Sequence, residues 1–184
     1  MTVDPAKLRI QIYPAEILRT KADEVDPTPE VRAVAERMID LMRGADGIGL
    51  AATQAGLAWR MFVAELGPDP DAASGHEDYR VSTDGPEVYL NPVIEEHDGG
   101  PTLFEEGCLS LPGIRGELPR PPSVTMSWFD LSGERHTAKA TGLLARCWQH
   151  EIDHLDGVMI IDRFTQLSRT KNRSAIKSLE KSAR

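Results

Sequence analysis

The chain has 184 residues, 40% hydrophobic and 27% charged, an ordinary composition for a globular protein with a core of its own. We therefore expect one domain spanning residues 1–184. No apolar run has the length of a membrane span, and the N-terminus lacks the charged-then-apolar layout of a signal peptide, so no membrane association is expected. The presence of only two cysteines argues against a disulfide framework and favours a cytoplasmic location.

The formal net charge of −8 is unevenly distributed along the chain. From Arg163 to the C-terminus there are seven basic residues and one acidic residue, Glu180, so the rest of the chain is strongly acidic. An acidic body disfavours DNA as a partner, whereas the basic tail could contact a phosphate-rich surface. A solvated terminal helix explains the same pattern equally well.

The first predicted element is an amphipathic helix that ends near Gly44. Thr28 suits the N-cap and Pro29 the first helical position, because a proline there loses no helical hydrogen bond. Apolar residues then recur at helical spacing up to Gly44, as expected for a helix with one face on the core.

Strands are predicted to dominate the middle of the chain. Five stretches have strand character: residues 61–66, 87–94, 102–104, 124–129 and 134–140. Pro92 should restrict its strand to a sheet edge or a strand end. The segment 67–86, rich in Pro, Asp, Gly and Ser, should be a surface loop, and residues 130–133 should close a hairpin. Because consecutive strands tend to pair, we expect an α+β fold of mostly antiparallel strands around a central helix, with a C-terminal helix from about residue 167.

The predicted central helix carries the sequence Q-H-E-I-D-H-L-D-G at residues 149–157. His150 and His154 lie one helical turn apart, so each can give one ring nitrogen to the same metal ion. Glu151 lies beside them, where its carboxylate can reach a water at the metal without being a ligand. Thr141 is a plausible N-cap of this helix and Gly157 a plausible end.

The surroundings of the two histidines should be apolar. A helical projection places Leu143 and Cys147 beside them, and the apolar sector covers more than half of the circumference. The polar residues of the opposite side are Arg146, Gln149 and Asp153. Burying two imidazoles in such a setting is costly unless their nitrogens are satisfied, and a metal satisfies them.

A third metal ligand is expected upstream of the helix. Catalytic sites of this kind use three protein ligands and keep one position open. The acidic residues downstream of His154 are badly placed, and no histidine follows it. Upstream, Cys108 lies in E-G-C-L-S directly after a strand-like segment, and the flanking glycine lets the backbone approach a ligand closely. A lone cysteine is usually a small buried apolar residue, but beside an incomplete metal site we favour Cys108 as the ligand.

A third stretch, G-I-G-L-A-A-T-Q at residues 47–54, is ambiguous by itself. It superficially matches a dinucleotide-binding fingerprint, but a helix precedes it and no β-α-β pattern surrounds it. Its small residues allow close backbone approach, and Gln54 offers an amide donor. A tight turn with a polar end is the simplest interpretation of this stretch alone.

Taken together and in this order, the three stretches resemble the three signature motifs of the peptide deformylase family. The resemblance covers nearly the whole chain, including the L-P-G-I-R-G segment after Cys108 and the terminal helix. It implies an enzyme that removes the N-formyl group from the initiator methionine of new proteins and releases formate. It also implies one divalent metal ion held by Cys108, His150 and His154, usually Fe(II) in this family, with Zn, Ni or Co as alternatives.

The resemblance further implies roles for individual residues. Glu151 would take a proton from the attacking water and return it to the leaving amine. The side-chain amide of Gln54 and the backbone N–H of Leu109 would stabilise the developing oxyanion. The residues matching family positions around the substrate are Ile48, Gly49, Phe104, Arg115, Leu143 and Cys147. The residues matching a structural ion pair are Glu106 and Arg120.

Two alternative functions remain open at the level of sequence. Cys147 could be a fourth ligand, which would make the metal structural. The H-E-x-x-H motif could also belong to a thermolysin-like endopeptidase, although the third ligand usual in those enzymes is missing downstream of His154.

The 67–86 segment, longer than in short bacterial members, leaves the subfamily open.

Overall fold

Two β-sheets enclose the H-E-x-x-H helix in the computed structural model, which describes residues 2–68 and 79–182. The strands are β1 (Gly49–Ala51), β2 (Met61–Ala64), β3 (Tyr79–Arg80), β4 (Glu87–Asp98), β5 (Thr102–Gly107), β6 (Arg115–Arg120), β7 (Ser123–Phe129) and β8 (Arg135–Thr141). Six of them form a sheet in the order β1-β2-β4-β7-β8-β3, and β5 and β6 form a separate two-stranded sheet. Only the pairing of β3 with β8 is parallel among the described strands, so the predicted α+β fold with mostly antiparallel strands is confirmed.

The described helices are α1 (Pro29–Gly44), α2 (Gly142–Leu155), α3 (Ile160–Arg163) and α4 (Gln166–Ser182). Short 3-10 turns occur at Pro5–Lys7, Glu16–Arg19 and Ala52–Ala55. The start of α1 is as predicted, because the Thr28 hydroxyl accepts a hydrogen bond from the backbone N–H of Val31. Within the described part of the chain, no helix is long and apolar enough to cross a bilayer.

The large sheet has an apolar core on each face. Side chains alternate along β2, so Phe62 packs on the α2 side while Met61 and Val63 pack on the α1 side. The α2 side contains an aromatic cluster in which Tyr89 contacts Phe62, Trp128 and Trp148. This packing holds the apolar face of α2 against the sheet. It thereby fixes the position of the two histidines relative to the sheet.

The expectation for Pro92 is wrong. β4 continues through Pro92 to Asp98 and lies inside the sheet, between β2 and β7. The proline is tolerated because pairing with β2 stops at Leu90 and pairing with β7 is irregular between Leu90 and Val93. A proline has no backbone N–H to donate, and the irregular pairing here requires no ladder hydrogen bond from residue 92.

Two further expectations need correction. The segment 67–86 is not entirely loop, because Tyr79–Arg80 pair with β8; residues 69–78 lie outside the described part of the chain. The strand predicted at 102–104 runs to Gly107, and its partner β6 was not predicted. β6 contains Gly116 and Pro119, which weaken its sequence signal, but Pro119 is allowed in a sheet of two edge strands.

Both ends of α2 lie where they were predicted, although the N-cap makes no side-chain hydrogen bond to the helix. Thr141 occupies the N-cap position, yet its hydroxyl makes no bond to the helix and instead pairs with Ser123 and the Pro122 carbonyl. Gly157 ends the helix with a φ of 73°, and the N–H of Val158 bonds back to the Asp153 carbonyl at 2.8 Å. A Cβ at Gly157 would also lie 2.6 Å from the Arg19 carbonyl oxygen, so only glycine fits.

Candidate active site

The side chains of Cys108, His150 and His154 converge at one point of the fold. Cys108 directly follows β5, and the two histidines project from successive turns of α2. The Nε2 atom of His154 lies 3.2 Å from the Cys108 sulfur and 3.2 Å from Nε2 of His150. One donor atom from each residue lies within 4.8 Å of the other two, which is the spacing of a group able to hold a metal ion.

These three donors fit a soft or borderline divalent cation. A thiolate with two imidazoles suits Fe, Co, Ni or Zn and does not suit Mg or Ca. The Nδ1 atom of His150 lies 3.0 Å from Oε2 of Glu106, so the Nε2 lone pair is directed to the other donors. Burial lowers the pKa of His154, which keeps its imidazole neutral, as a ligand must be.

The carboxylate of Glu106 stabilises positive charge on the neighbouring His150 ring. Burial by itself disfavours a proton on His150, but hydrogen bonding to Cys108 and Glu106 raises its pKa to about 10. Burial likewise works against ionised Glu106, yet hydrogen bonds from His150 and Arg120 lower the pKa of that carboxyl to about 2. An ionised carboxylate therefore lies next to the His150 ring, on the Nδ1 side.

Glu151 is buried beside these donors without a hydrogen bond on one of its oxygens. Its Oε2 atom has no partner among the described residues, and burial raises the pKa of the carboxyl to about 7. A Cβ at Gly49 would lie 2.5 Å from Oε1 of Glu151 and 2.9 Å from the Cys147 sulfur, so glycine is needed there. A carboxyl with this pKa and a free oxygen can exchange protons near neutral pH.

Gln54 points its side-chain amide group at the same centre. Its Oε1 atom accepts a hydrogen bond from the Ala51 N–H at 2.9 Å, which fixes which end of the amide faces the site. Its Nε2 atom donates to the Ser110 hydroxyl at 3.2 Å and lies 3.4 Å from the Cys108 sulfur. Residues 52–55 form a 3-10 turn after β1 and open no long helix, so the dinucleotide interpretation is wrong.

A cavity of about 640 Å³ opens onto this centre. Its lining residues from the predicted site are Ile48, Gly49, Gln54, Phe104, Glu106, Cys108, Leu109, Arg115, Leu143, His150 and Glu151. Cys147 is not among them, because it is buried below Gly49 with its sulfur 3.7 Å from the Ile48 carbonyl oxygen. Cys147 also does not belong to the group of converging donors, which removes the support for a four-ligand structural site.

The ion pair expected between Glu106 and Arg120 is present and belongs to a larger network. Arg120 donates from Nε and Nη2 to both Glu106 oxygens, at 2.7 and 3.1 Å, and from Nη1 to Asp153 at 2.8 Å. Arg163 donates to the same Asp153 carboxylate. By contrast, Arg115 is exposed at the cavity mouth and pairs only with Glu105 among the charged groups described.

The polar side of α2 is buried as well. Arg146, Gln149 and Asp153 are all buried, and each has a partner on a neighbouring strand or loop. The helical projection correctly separated these residues from the histidines, but it could not show that the two-stranded sheet covers them. The pattern gave no signal for Asp153 or Arg146 as site-supporting residues.

Comparisons with known proteins agree with this geometry. Residues 7–170 match the family model described as polypeptide deformylase. A peptide deformylase of Novosphingobium aromaticivorans is 42% identical over 160 residues, which cover 83% of this chain and 84% of that protein. The crystal structure of peptide deformylase from Ehrlichia chaffeensis superposes with a TM-score of 0.85 at 32% identity, covering 96% of both chains. A plant peptide deformylase structure gives a TM-score of 0.86 at 34% identity, covering 100% of this chain and 94% of that one.

Fold and site together define a hydrolase with an H-E-x-x-H helix, in which a buried carboxyl lies beside a cysteine and two histidines. Within that class, the chain belongs to the polypeptide deformylase family. The resemblance seen in the sequence motifs is thereby confirmed, and a thermolysin-like endopeptidase is excluded as the family.

Proposed function

We propose that this enzyme, acting as one catalytic domain over residues 1–184, removes the formyl group from N-formylmethionyl peptides and releases formate. The observation that carries the proposal is the convergence of Cys108, His150 and His154 next to Glu151, whose Oε2 atom has no partner among the described residues. Cys108, His150 and Glu151 also line the cavity. Membership of the deformylase family indicates that the bond to be cleaved is a formamide.

Cys108, His150 and His154 would hold one divalent ion, with Fe(II) as the first choice and Zn, Ni or Co as alternatives. Such an ion supplies Lewis acidity, which polarises a carbonyl oxygen and lowers the pKa of water. Glu106 supports this role, because its carboxylate orients the His150 ring and increases the basicity of its Nε2 atom.

Glu151 is the proton carrier in the proposed mechanism. The carboxylate takes a proton from the attacking water as the water adds to the formyl carbon, and it returns that proton to the amine as the C–N bond breaks. Its pKa near 7 suits both directions of transfer. The carboxyl is buried, and it fits at this position because Gly49 has no side chain that would clash with it.

Gln54 and Leu109 are proposed to stabilise negative charge on the formyl oxygen. The Gln54 amide is already oriented by Ala51 and Ser110, so it needs little reorganisation to donate to an oxyanion. Leu109 follows Cys108 directly and lines the same cavity, so its backbone N–H is the second donor we propose. One such donor is typically worth about 3 kcal/mol in the transition state.

Selectivity for formyl-methionine is proposed to follow from size and polarity. Gly47 and Gly49 bring the backbone so close to Leu109 and Glu151 that a bulkier acyl group than formyl has little room. The methionine side chain would enter the apolar part of the cavity between Ile48, Phe104 and Leu143.

The decisive experiment measures formate release from formyl-Met-Ala-Ser together with metal analysis of anaerobically purified enzyme. We expect stoichiometric formate and about one metal per chain, and no cleavage of internal peptide bonds. Peroxide should inactivate an iron enzyme and spare a zinc or nickel enzyme. Cleavage of internal bonds, or no formate from metal-loaded protein, would refute the proposed function.

The terminal helix α4 is proposed to contact the ribosome in the cytoplasm, where the substrate emerges. Its basic residues Arg169, Lys171, Arg173, Lys177 and Lys181 are exposed, whereas Ile176 and Leu179 pack on the core. The helix is anchored by a hydrogen bond from Tyr13 to Glu180 at 3.0 Å and by another from Asn172 to the Arg115 carbonyl oxygen at 2.8 Å. It therefore presents a fixed cationic face.

A further inference from the structure

Arg146 is a buried cation one turn before His150 on α2, and none of the residues proposed for catalysis requires it. Its side chain is only about one-tenth exposed, and its Nη1 atom has no hydrogen-bond partner among the described residues. A buried guanidinium is costly unless its surroundings compensate. The contacts that compensate this one come from a single strand, β5.

Arg146 contacts three alternate residues of β5, which share one face of the strand. Its Nη2 atom donates to the carbonyl and hydroxyl oxygens of Thr102, at 3.1 and 2.6 Å. The guanidinium carbon lies 4.8 Å from the centre of the Phe104 ring, within the range of a cation–π contact. Its Nη1 atom lies 3.9 Å from the nearer oxygen of Glu106.

Phe104 in turn forms part of the cavity wall. Its ring lines the cavity together with Ile48 and Leu143, whereas Arg146 is not a lining residue. Phe104 is 47% exposed, so the protein core covers only part of this residue. The guanidinium is the charged contact that holds the ring from the protein side.

The sheet topology makes this contact important. Among the described strands, β5 pairs only with β6, and the two form a sheet separate from the six-stranded sheet that supports α2. The position of the Phe104 ring relative to α2 therefore depends on side chains that bridge the two. Arg146 forms one such bridge, and its planar fork fixes both distance and orientation.

We infer that Arg146 is a specificity-determining residue, which sets the width of the pocket for the first side chain of the substrate by holding the Phe104 ring. This inference rests on the proposed function, because the pocket is that of the formylmethionyl side chain. Arg146 touches neither the scissile bond nor the three donor side chains, so its effect should appear in substrate discrimination and KM rather than in kcat.

The test compares formyl-Met-Ala-Ser with formyl-Leu-Ala-Ser as substrates of Arg146→Met and Arg146→Lys. Methionine keeps much of the apolar stem, and lysine keeps the charge but loses the fork. We expect the preference for methionine over leucine in kcat/KM to fall about fivefold in Arg146→Met, on the scale of one desolvated cation–π contact, mainly through KM. The preference of Arg146→Lys should lie between that of the wild type and that of Arg146→Met. Arg135→Met, at an exposed pair with Glu95, is the matched control and should leave the preference unchanged.

A double-mutant cycle separates this role from a general structural one. In Phe104→Leu the ring is absent, so adding Arg146→Met should change the preference no further. An unchanged preference in Arg146→Met, or an equal change with and without the ring, would overturn the inference. Binding of both peptides to variants that also carry Glu151→Gln gives the same comparison without turnover. If wild-type enzyme releases no formate, the proposed function fails; if it does and the preference is unmoved, this inference alone fails.

Discussion

Nδ1 of His150 lies 3.0 Å from Oε2 of Glu106, and the same carboxylate is held from its other side by Arg120. This relationship joins a proposed metal ligand on α2 to a residue of β5, and Arg120 extends the connection back to Asp153 on α2. This series of contacts therefore begins and ends on α2. The orientation of the His150 ring is therefore fixed by a buried ionic network rather than by the helix alone.

Replacing Arg120 by methionine should destabilise the protein and weaken metal binding. The change leaves Glu106 buried without its main cation, and such a loss typically costs about 3–5 kcal/mol of unfolding free energy. Metal affinity should fall about 10–100-fold, because the carboxylate that orients His150 is no longer held. Urea unfolding and competitive chelation measure the two effects. Arg135→Met, which breaks an exposed pair, should cost no more than about 1 kcal/mol, and an equal cost for both variants would contradict the argument.

Replacing Glu151 by glutamine should remove turnover and leave the metal in place. The amide has nearly the same shape but cannot accept the proton, so kcat should fall by about 10²–10⁴. Glu151 is adjacent in sequence to His150 but does not belong to the converging donors, so metal content should stay near that of the wild type. Formate release and metal analysis on the same preparation check both statements. Turnover within a few-fold of wild type would remove Glu151 from its role.

Replacing Gly49 by alanine should damage the site by a purely steric route. The new Cβ would lie 2.5 Å from Oε1 of Glu151 and 2.9 Å from the Cys147 sulfur, so the carboxyl must move. Overpacking of this kind costs about 1–3 kcal/mol, and kcat should fall with it. Gly44→Ala is the matched control, because nothing lies within 4 Å of that Cβ, and it should be neutral or slightly stabilising. Full activity in Gly49→Ala would show that Glu151 does not need its observed position.

The sequence was most informative where chemistry dictates residue type and spacing. Two histidines four residues apart, with Glu151 between them, indicate a metal site. Cys108 was then favoured as the third ligand, because no well-placed ligand follows His154 in the sequence. The apolar stripe of α1 and the hairpin of β7 and β8 were equally readable, since each depends on contacts close in sequence.

Long-range pairing explains what the sequence could not show. Asp153 and Arg146 were assigned to a polar helix side, because nothing local indicates that β5 and the segment after β6 fold over it. Pro92 was expected at an edge because a bulge depends on the partner strand, not on the residue itself. Cys147 was expected to line the cavity, and only the three-dimensional position of Gly49 shows that it lies beneath the surface.

Replacing Glu87 by glutamine should give a pH-dependent loss of stability. Burial works to raise the pKa of Glu87, but hydrogen bonds from Arg80 and Tyr89 outweigh it and lower the pKa below its ordinary value of 4.5. Because folding lowers this pKa, the stabilisation is complete above about 4.5 and is lost as the pH falls through the folded value. The variant should cost about 1 kcal/mol at pH 7, allowing for solvent screening, and progressively less as the pH falls below 4.5. Urea unfolding across this range checks the trend, and a cost that grew on acidification would have the wrong sign.

Reversing the exposed charges of α4 should weaken ribosome binding without unfolding the protein. Truncation after Phe164 is a poor test, because it would also remove Ile176 and Leu179 from the core. Lys171→Glu combined with Lys177→Glu changes only exposed side chains. Each phosphate contact contributes about one unit to the slope of binding against salt, so the double variant should lower that slope by about two in co-sedimentation with ribosomes. Formate release from a free peptide should be unaffected in the same variant. An unchanged salt slope would refute the proposed contact.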